Sequence, residues 1–318
     1  MSTKLLVVQR EETEPHVRIA ECIPLVERAY TALIEGQAEL PSKYHYGGAF
    51  GMWFFMGGQI PSLGAMAIKL GCAPPGRGSC QVIYYDHETA EPLALMEGLW
   101  VTHLRTGAAA AIGAKYLARP EAKTVAIVGT GRVGWFSLGA LSECFALEKA
   151  YAADISADSR QVFAKRAKDR FAFPVVEAQI EEAVRSADIV VTATPARAPM
   201  VKAEWVRPGT HVSAMGADGR GKQELESGVH QKARIVVDRT EQCVQWGDIN
   251  NSCRAGLVEE SQIAGEIGEV ILGRKQGRTS AADITLFDST GMGIQDAAVA
   301  GLIYRTAVEH KLGTWVEL

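Results

Sequence analysis

Two stretches of this sequence carry residue types at spacings that could do chemistry. The first is Ser213-Ala-Met215-Gly216-Ala-Asp218-Gly-Arg-Gly-Lys222-Gln-Glu-Leu, a glycine-rich turn that follows an apolar run. Parallel α/β sheets hold ligands at the carboxyl ends of their strands. Asp218, with Gly216 and Gly219 close by, has little bulk around it and could reach a substrate nitrogen as a proton carrier or charge partner. The competing reading is an Asp that caps a following helix.

The second stretch is Val125-Ala-Ile-Val-Gly129-Thr130-Gly131-Arg132-Val133-Gly134. It sets G-x-G-x-x-G directly after a predicted strand and at the start of a predicted helix. Gly129 allows the tight turn, Gly131 lets a pyrophosphate approach the backbone, and Gly134 permits close helix–strand packing. The helix N-terminus then offers N–H donors to phosphate. The next strand ends at Asp154, where a carboxylate can accept from the ribose hydroxyls of a dinucleotide. An acid there repels the additional phosphate of NADP, so NAD is the expected cofactor, while Arg160 nearby leaves some NADP use open. Thr192 and Thr194, at the end of another strand, could turn hydroxyls toward the cofactor or simply finish the strand.

The elements that must position these residues follow from the apolar pattern. A short strand is expected at residues 5–8, and strands and turns in the aromatic, glycine-rich stretch 44–58. An alanine-rich helix is expected over 102–117. Beyond Lys123 short apolar runs at 124–128, 150–153, 189–192, 211–215 and 234–237 alternate with helical or polar stretches. That alternation implies a parallel sheet covered on both faces. From Gly291 on, Ile294, Val299, Leu302, Ile303 and Ala307 recur at helical spacing, with Asp296 and Arg305 on other faces. The expected fold class is α/β: a Rossmann domain over 119–291, and an N-terminal α+β domain over 1–118 completed by a helix within 292–318.

Composition narrows the function. The 318 residues are 47% hydrophobic and 22% charged, with a net charge of −4 and scattered cations, which argues against a nucleic-acid partner. The run at residues 5–8 is too short for a signal peptide, and nothing approaches the roughly 18 apolar residues of a membrane span. The six cysteines lack C-x-x-C or zinc-like spacing, so free thiols in the cytoplasm and no metal site are expected.

The segments Leu104-Arg105-Thr106-Gly-Ala-Ala, Ala126-Ile-Val-Gly129-Thr-Gly131, Met215-Gly-Ala-Asp218-Gly-Arg-Gly-Lys222-Gln-Glu-Leu and Leu286-Phe-Asp288-Ser289-Thr290-Gly291 together resemble the ornithine cyclodeaminase/μ-crystallin family. The resemblance runs from about Lys69 to the C-terminus. It implies that Lys69 and Arg105 hold a substrate carboxylate, a natural use of two cations. It also implies that Lys69 and Asp218 are catalytic, with Asp218 acting at the substrate nitrogen and Thr290 bordering the substrate. Arg105, Thr106, the Arg132–Val133 turn, Met215, Gly216, Lys222 and Ser289 would line the NAD site. A homodimer through the N-terminal domain is a further implication. Where many members carry an additional carboxylate-binding Arg, this sequence offers Lys43, which lacks the planar fork.

The family includes cyclodeaminases, amino-acid dehydrogenases, imino-acid reductases and ligand-binding proteins. A cyclodeaminase must recognise a second, cationic amine, yet residues 40–85 contain Glu and Asp nowhere between Leu40 and Tyr85. That stretch offers Trp53, Phe54, Phe55 and Met56 with Lys43, His45, Lys69 and Arg77, an inventory suited to an apolar or anionic side chain. The expected reaction is net redox at the C–N bond of a small amino or imino acid. Cyclodeamination and idle ligand binding are the alternatives.

Overall fold

The computed structural model describes residues 4–48, 51–73 and 78–318; Arg77 lies outside them. The chain divides into two compact units, one formed by Met1–Arg105 with Met292–Leu318 and the other by Thr106–Gly291. The division falls inside the alanine-rich helix rather than at 118/119. The reason is packing: a Cβ on Gly107 would strike the backbone of Phe136, and Gly113 lies against the Phe287 ring, so the second half of that helix belongs to the unit that follows.

The first unit opens with β1 (Lys4–Val8), α1 (Arg10–Thr13) and α2 (Ile19–Ile34). Strands β2 (Tyr44–Gly48), β3 (Gly51–Ile60), β4 (Ala65–Ala73), β5 (Ser79–Tyr85) and β6 (Pro92–Glu97) follow, and then helix α3 (Gly98–Leu117). After the second unit the chain returns as α11 (Gly293–Glu309) and β15 (Thr314–Glu317). The described strands form a sheet in the order β15-β1-β6-β5-β4-β3-β2, antiparallel except where β1 runs parallel to β6.

Register decides which side chains share a face of this sheet. Met56, Lys69, Val82 and Met96 stand side by side across β3 to β6, and all four are buried. Helix α11 packs on β3 and β4. It comes unusually close because a Cβ on Gly58 would lie 2.5 Å from the backbone nitrogen of Ile294, and one on Gly293 would collide with Gly57. The opposite pleat leaves Tyr44, Tyr46, Trp53, Phe55 and Ile68 exposed.

The second unit alternates strand and helix. Its strands are β7 (Thr124–Val128), β8 (Lys149–Ala153), β9 (Val175–Ala178), β10 (Ile189–Thr192), β11 (His211–Ala214), β12 (Arg234–Val237), β13 (Ile263–Glu266) and β14 (Thr285–Asp288). Helices α4 (Arg132–Cys144), α5 (Ala157–Ala167), α6 (Ile180–Ser186), α7 (Ser227–Lys232), α8 (Thr240–Trp246), α9 (Asn250–Arg254) and α10 (Ile267–Ile271) lie between them. All pairings are parallel, in the order β13-β12-β14-β11-β10-β7-β8-β9. The residues of β10, β11 and β14 are all buried, as expected of strands covered on both faces. Strand order reverses between β7 and β10, the crevice where such sheets bind ligands. This is the Rossmann arrangement expected from the sequence, with β9, β13 and β14 as strands the apolar pattern did not mark.

Candidate active site

The glycine loop after β7 has the shape its sequence requires. Gly129 has φ +100°, a conformation that glycine adopts freely, and a Cβ there would meet the Ala193 carbonyl at 2.5 Å. A Cβ on Gly134 would clash with the Gly129 carbonyl oxygen, so α4 starts hard against the strand. Gly131, the N-cap of α4, has open space on its Cβ side, and Arg132 beside it is exposed. A tight turn, an open backbone approach and a thirteen-residue helix beginning at that point fit a dinucleotide pyrophosphate. Asp154 at the end of β8 reaches back to this loop: its Oδ2 accepts from the backbone N–H of Thr130 at 2.9 Å and from the Thr130 hydroxyl at 3.0 Å. Arg160 donates to the Asp154 backbone carbonyl at 2.5 Å.

Asp218 projects from the turn that follows β11. Its carboxylate is 55% exposed and pairs with Lys222 Nζ at 2.5 Å. The residues after it form a turn, and the next helix begins only at Ser227, so the helix-capping reading does not hold. Met215 is buried under this loop and Gly216 is pinned by Glu224.

Glu224 belongs to a set of buried acids that sequence reasoning missed. Its Oε2 accepts from the Thr192 hydroxyl at 2.8 Å and from the Gly216 N–H at 2.9 Å, while its Oε1 accepts from the Thr194 N–H at 2.6 Å. One carboxylate thereby ties the ends of β10 and β11 together. It also engages the fully buried hydroxyl of Thr192, one of the two threonines read as either facing a cofactor or finishing the strand. Asp248 in turn accepts from the backbone of Glu224 and Leu225 and from His230, and Asp288 accepts from the backbone of Asp248 and Ile249. Burial, followed by the Asp248 charge, pushes Glu224 up to about 7, against the pull of its Thr192 and Thr194 donors. Burial and Asp248 raise Asp288 as well.

At the end of β14, Ser289 donates to Asp238 Oδ2 at 2.8 Å, and the Gly291 N–H donates to the same oxygen at 2.7 Å. The Thr290 hydroxyl donates to Gln242 at 3.1 Å. Thr106, on α3, is buried, and its hydroxyl has no hydrogen-bond partner among the described residues.

The cations of the first unit are held by β4, α3 and α11. Lys43, just before β2, Lys69 on β4 and Arg105 on α3 are all buried. Lys69 Nζ donates to Asp296 Oδ1 at 2.8 Å and to the Thr102 hydroxyl at 3.2 Å. Arg105 Nε lies 3.3 Å from that same Asp296 oxygen, and its Nη1 donates to Gln295 Oε1 at 3.3 Å. Asp296 was expected off the apolar face of its helix, but it is 1% exposed. The correction has a physical cause: α11 is buried on nearly all sides through its first half, so an apolar stripe does not identify its inner face. Burial lowers the Lys69 pKa, Asp296 opposes this, and the Arg105 charge adds to the lowering. Two cations sharing one carboxylate oxygen retain an excess of positive charge, which suits an anionic ligand group.

Among the described residues no group of His, Cys, Asp and Glu has metal-binding geometry, and no helix is long and apolar enough to cross a membrane. The family model for the ornithine cyclodeaminase/mu-crystallin family matches residues 75–311. Alanine dehydrogenase of Archaeoglobus fulgidus is 38% identical over 319 residues, covering 98% of each chain. An archaeal alanine dehydrogenase dimer with bound NAD superposes with a TM-score of 0.94 at 37% identity, covering 99% of each chain. Thermococcus litoralis Δ1-pyrroline-2-carboxylate reductase, solved with NADH and L-proline, gives 0.93 at 34% identity, covering 98% of this chain and 99% of that one.

Proposed function

The chain belongs to the ornithine cyclodeaminase/mu-crystallin family, and from that premise we propose that it is an NAD-dependent oxidoreductase acting on the C–N bond of a small amino acid or its imine. The observation that carries this reading is the buried pair Lys69 and Arg105, two cations converging on a single oxygen of Asp296. Their excess charge suits the carboxylate that every amino and imino acid presents, and Arg105 offers a planar fork for it.

The glycine loop supports the cofactor assignment. Gly129, Thr130, Gly131, Arg132, Val133 and Gly134 would hold the pyrophosphate, Asp154 the adenosine ribose, and Thr106, Thr194, Met215, Gly216, Lys222 and Ser289 the remainder. Bound NAD supplies the two-electron redox partner. Asp218 holds or releases a proton at the substrate nitrogen, whose basicity changes between amine and imine. Its pairing with Lys222 keeps its carboxylate beside a positive charge. Lys69 acts with Arg105 on the substrate carboxylate, and Thr290 borders the substrate. Net redox is favoured over cyclodeamination because residues 40–85 supply no acid for a distal ammonium.

The functional form is a homodimer built on the exposed aromatic face of the first unit's sheet. Tyr46 and Trp53 pair across β2 and β3, as do Tyr44 and Phe55, and all four are exposed. An apolar patch of this kind marks an interaction surface.

An NADH-oxidation screen tests the assignment, using 2-oxo acids with ammonium or methylamine and, separately, cyclic imino acids. Stoichiometric NADH consumption with one of these is the expected outcome. Conversion of ornithine to proline and ammonia with no net change in NADH would replace it with cyclodeamination.

A further inference from the structure

The first turn of α11 presents two consecutive side chains to the cations. Asp296 Oδ1 accepts from Lys69 Nζ at 2.8 Å and lies 3.3 Å from Arg105 Nε. Gln295 Oε1 accepts from Arg105 Nη1 at 3.3 Å and from the Met292 N–H at 2.9 Å, while its Nε2 donates to the Tyr30 hydroxyl at 2.6 Å. The glycine contact between Gly58 and the start of α11 brings this turn down onto the sheet where Lys69 stands. Lys69 and Arg105 repel each other, and the carboxylate between them offsets that repulsion.

The other oxygen, Asp296 Oδ2, is buried and has no hydrogen-bond partner among the described residues. Both cations therefore meet at a single oxygen of one carboxylate.

We propose that Asp296 is the positioning residue of the substrate-carboxylate site, holding the Lys69 side chain and the Arg105 guanidinium together at one point. The inference rests on the function proposed above, since it takes Lys69 and Arg105 as the residues that bind the substrate carboxylate. The charged and titratable groups acting on Lys69 are Asp296 from α11, Arg105 from α3 and Cys80 from β5; Asp296 and Cys80 favour the ammonium, and Arg105 and burial oppose it. Without the Asp296 charge, Lys69 gives up its proton at lower pH.

The test is the isosteric Asp296→Asn variant, assayed from neutral to alkaline pH. One assay uses pyruvate with ammonium and NADH; a parallel one uses Δ1-pyrroline-2-carboxylate with NADH. We expect the KM for the acid that is turned over to rise about tenfold or more, as for loss of a charge-assisted contact. The KM for NADH should stay unchanged, and the alkaline limb of kcat/KM should move to lower pH. Asp296→Glu, which restores the charge on a longer arm, should return the limb toward its wild-type position while KM stays raised. A folded Asp296→Asn enzyme with wild-type KM and an unmoved limb overturns the proposal. Should that variant not fold, a wild-type KM in Asp296→Glu overturns it equally. Lys69→Met separates the two levels of inference. If it keeps a wild-type KM, the reading of the site itself is wrong. If it loses acid binding while Asp296→Asn behaves as wild type, only the positioning role fails. A wild-type enzyme that turns over no amino or imino acid in the NADH screen removes both.

Discussion

Thr130 and Asp154 are joined twice, the backbone N–H and the hydroxyl of one residue both donating to a single carboxylate oxygen of the other, at 2.9 and 3.0 Å. The second Asp154 oxygen accepts from the Ser156 N–H at 3.0 Å. The carboxylate is thereby fixed at the end of β8, beside the glycine loop, and cannot readily swing away from an incoming phosphate. NAD should be preferred over NADP in kcat/KM. Asp154→Ser should narrow that preference by about tenfold or more, because it removes both the repulsive charge and the ribose acceptor. Thr130→Val, which leaves the charge but loosens its hold, should narrow it less. Equal kcat/KM for the two cofactors in the wild type would count against Asp154 as the determinant.

Asp218→Asn tests the proton-carrier role proposed for Asp218. Asn nearly preserves the shape, and no helix follows that could lose a cap. We expect kcat to fall roughly a hundredfold or more, within the range of acid–base catalysis, with NAD affinity and melting temperature nearly unchanged. Near-normal turnover would remove Asp218 from the chemistry.

Glu224 makes the stability of the second unit depend on pH in a definite direction. Its folded-state value, about 7, lies above the ordinary 4.5, so the native state retains a proton that the unfolded chain releases. Native stability contributed by this group is complete below 4.5 and is lost as pH rises toward 7. Glu224→Gln cannot titrate and lacks that slope. The melting temperature of Glu224→Gln, measured relative to the wild type, should therefore climb between these pH values and then level off. A pH-independent difference would show that the carboxyl titrates normally.

The aromatic face of the first sheet gives an assembly prediction. Trp53 is 57% exposed, so Trp53→Arg should leave the fold intact. Light scattering on the wild type should return the mass of a dimer, and Trp53→Arg should shift it toward the monomer. A monomeric wild type would leave the aromatic face without this role.

What could be read in advance was local. Gly129, Gly131 and Gly134 announce their loop because each meets a backbone requirement within a few residues of the others. Strands β7, β8, β10, β11 and β12 announce themselves through short apolar runs. Strand β13, whose sequence is Ile-Ala-Gly-Glu, carries no such run, and β15, Thr-Trp-Val-Glu, is exposed along its whole length and offers no alternation. Glu224, Asp248 and Asp288 meet only in the folded sheet, and nothing near each acid signals its partner. The clue that was present for Asp296 lies in Gly293-Ile-Gln-Asp-Ala-Ala-Val-Ala-Gly301, a helix so rich in small residues that its polar side chains have no wet face to occupy.

The pairing of β15 with β1 joins opposite ends of the described chain. The second unit, Thr106–Gly291, is continuous in sequence, so all of it is synthesised before α11. The first unit must wait with its sheet uncovered until α11 and β15 emerge. During translation Lys69 therefore spends most of its early life without Asp296, and the Lys69–Asp296–Arg105 cluster is among the last features of the molecule to assemble.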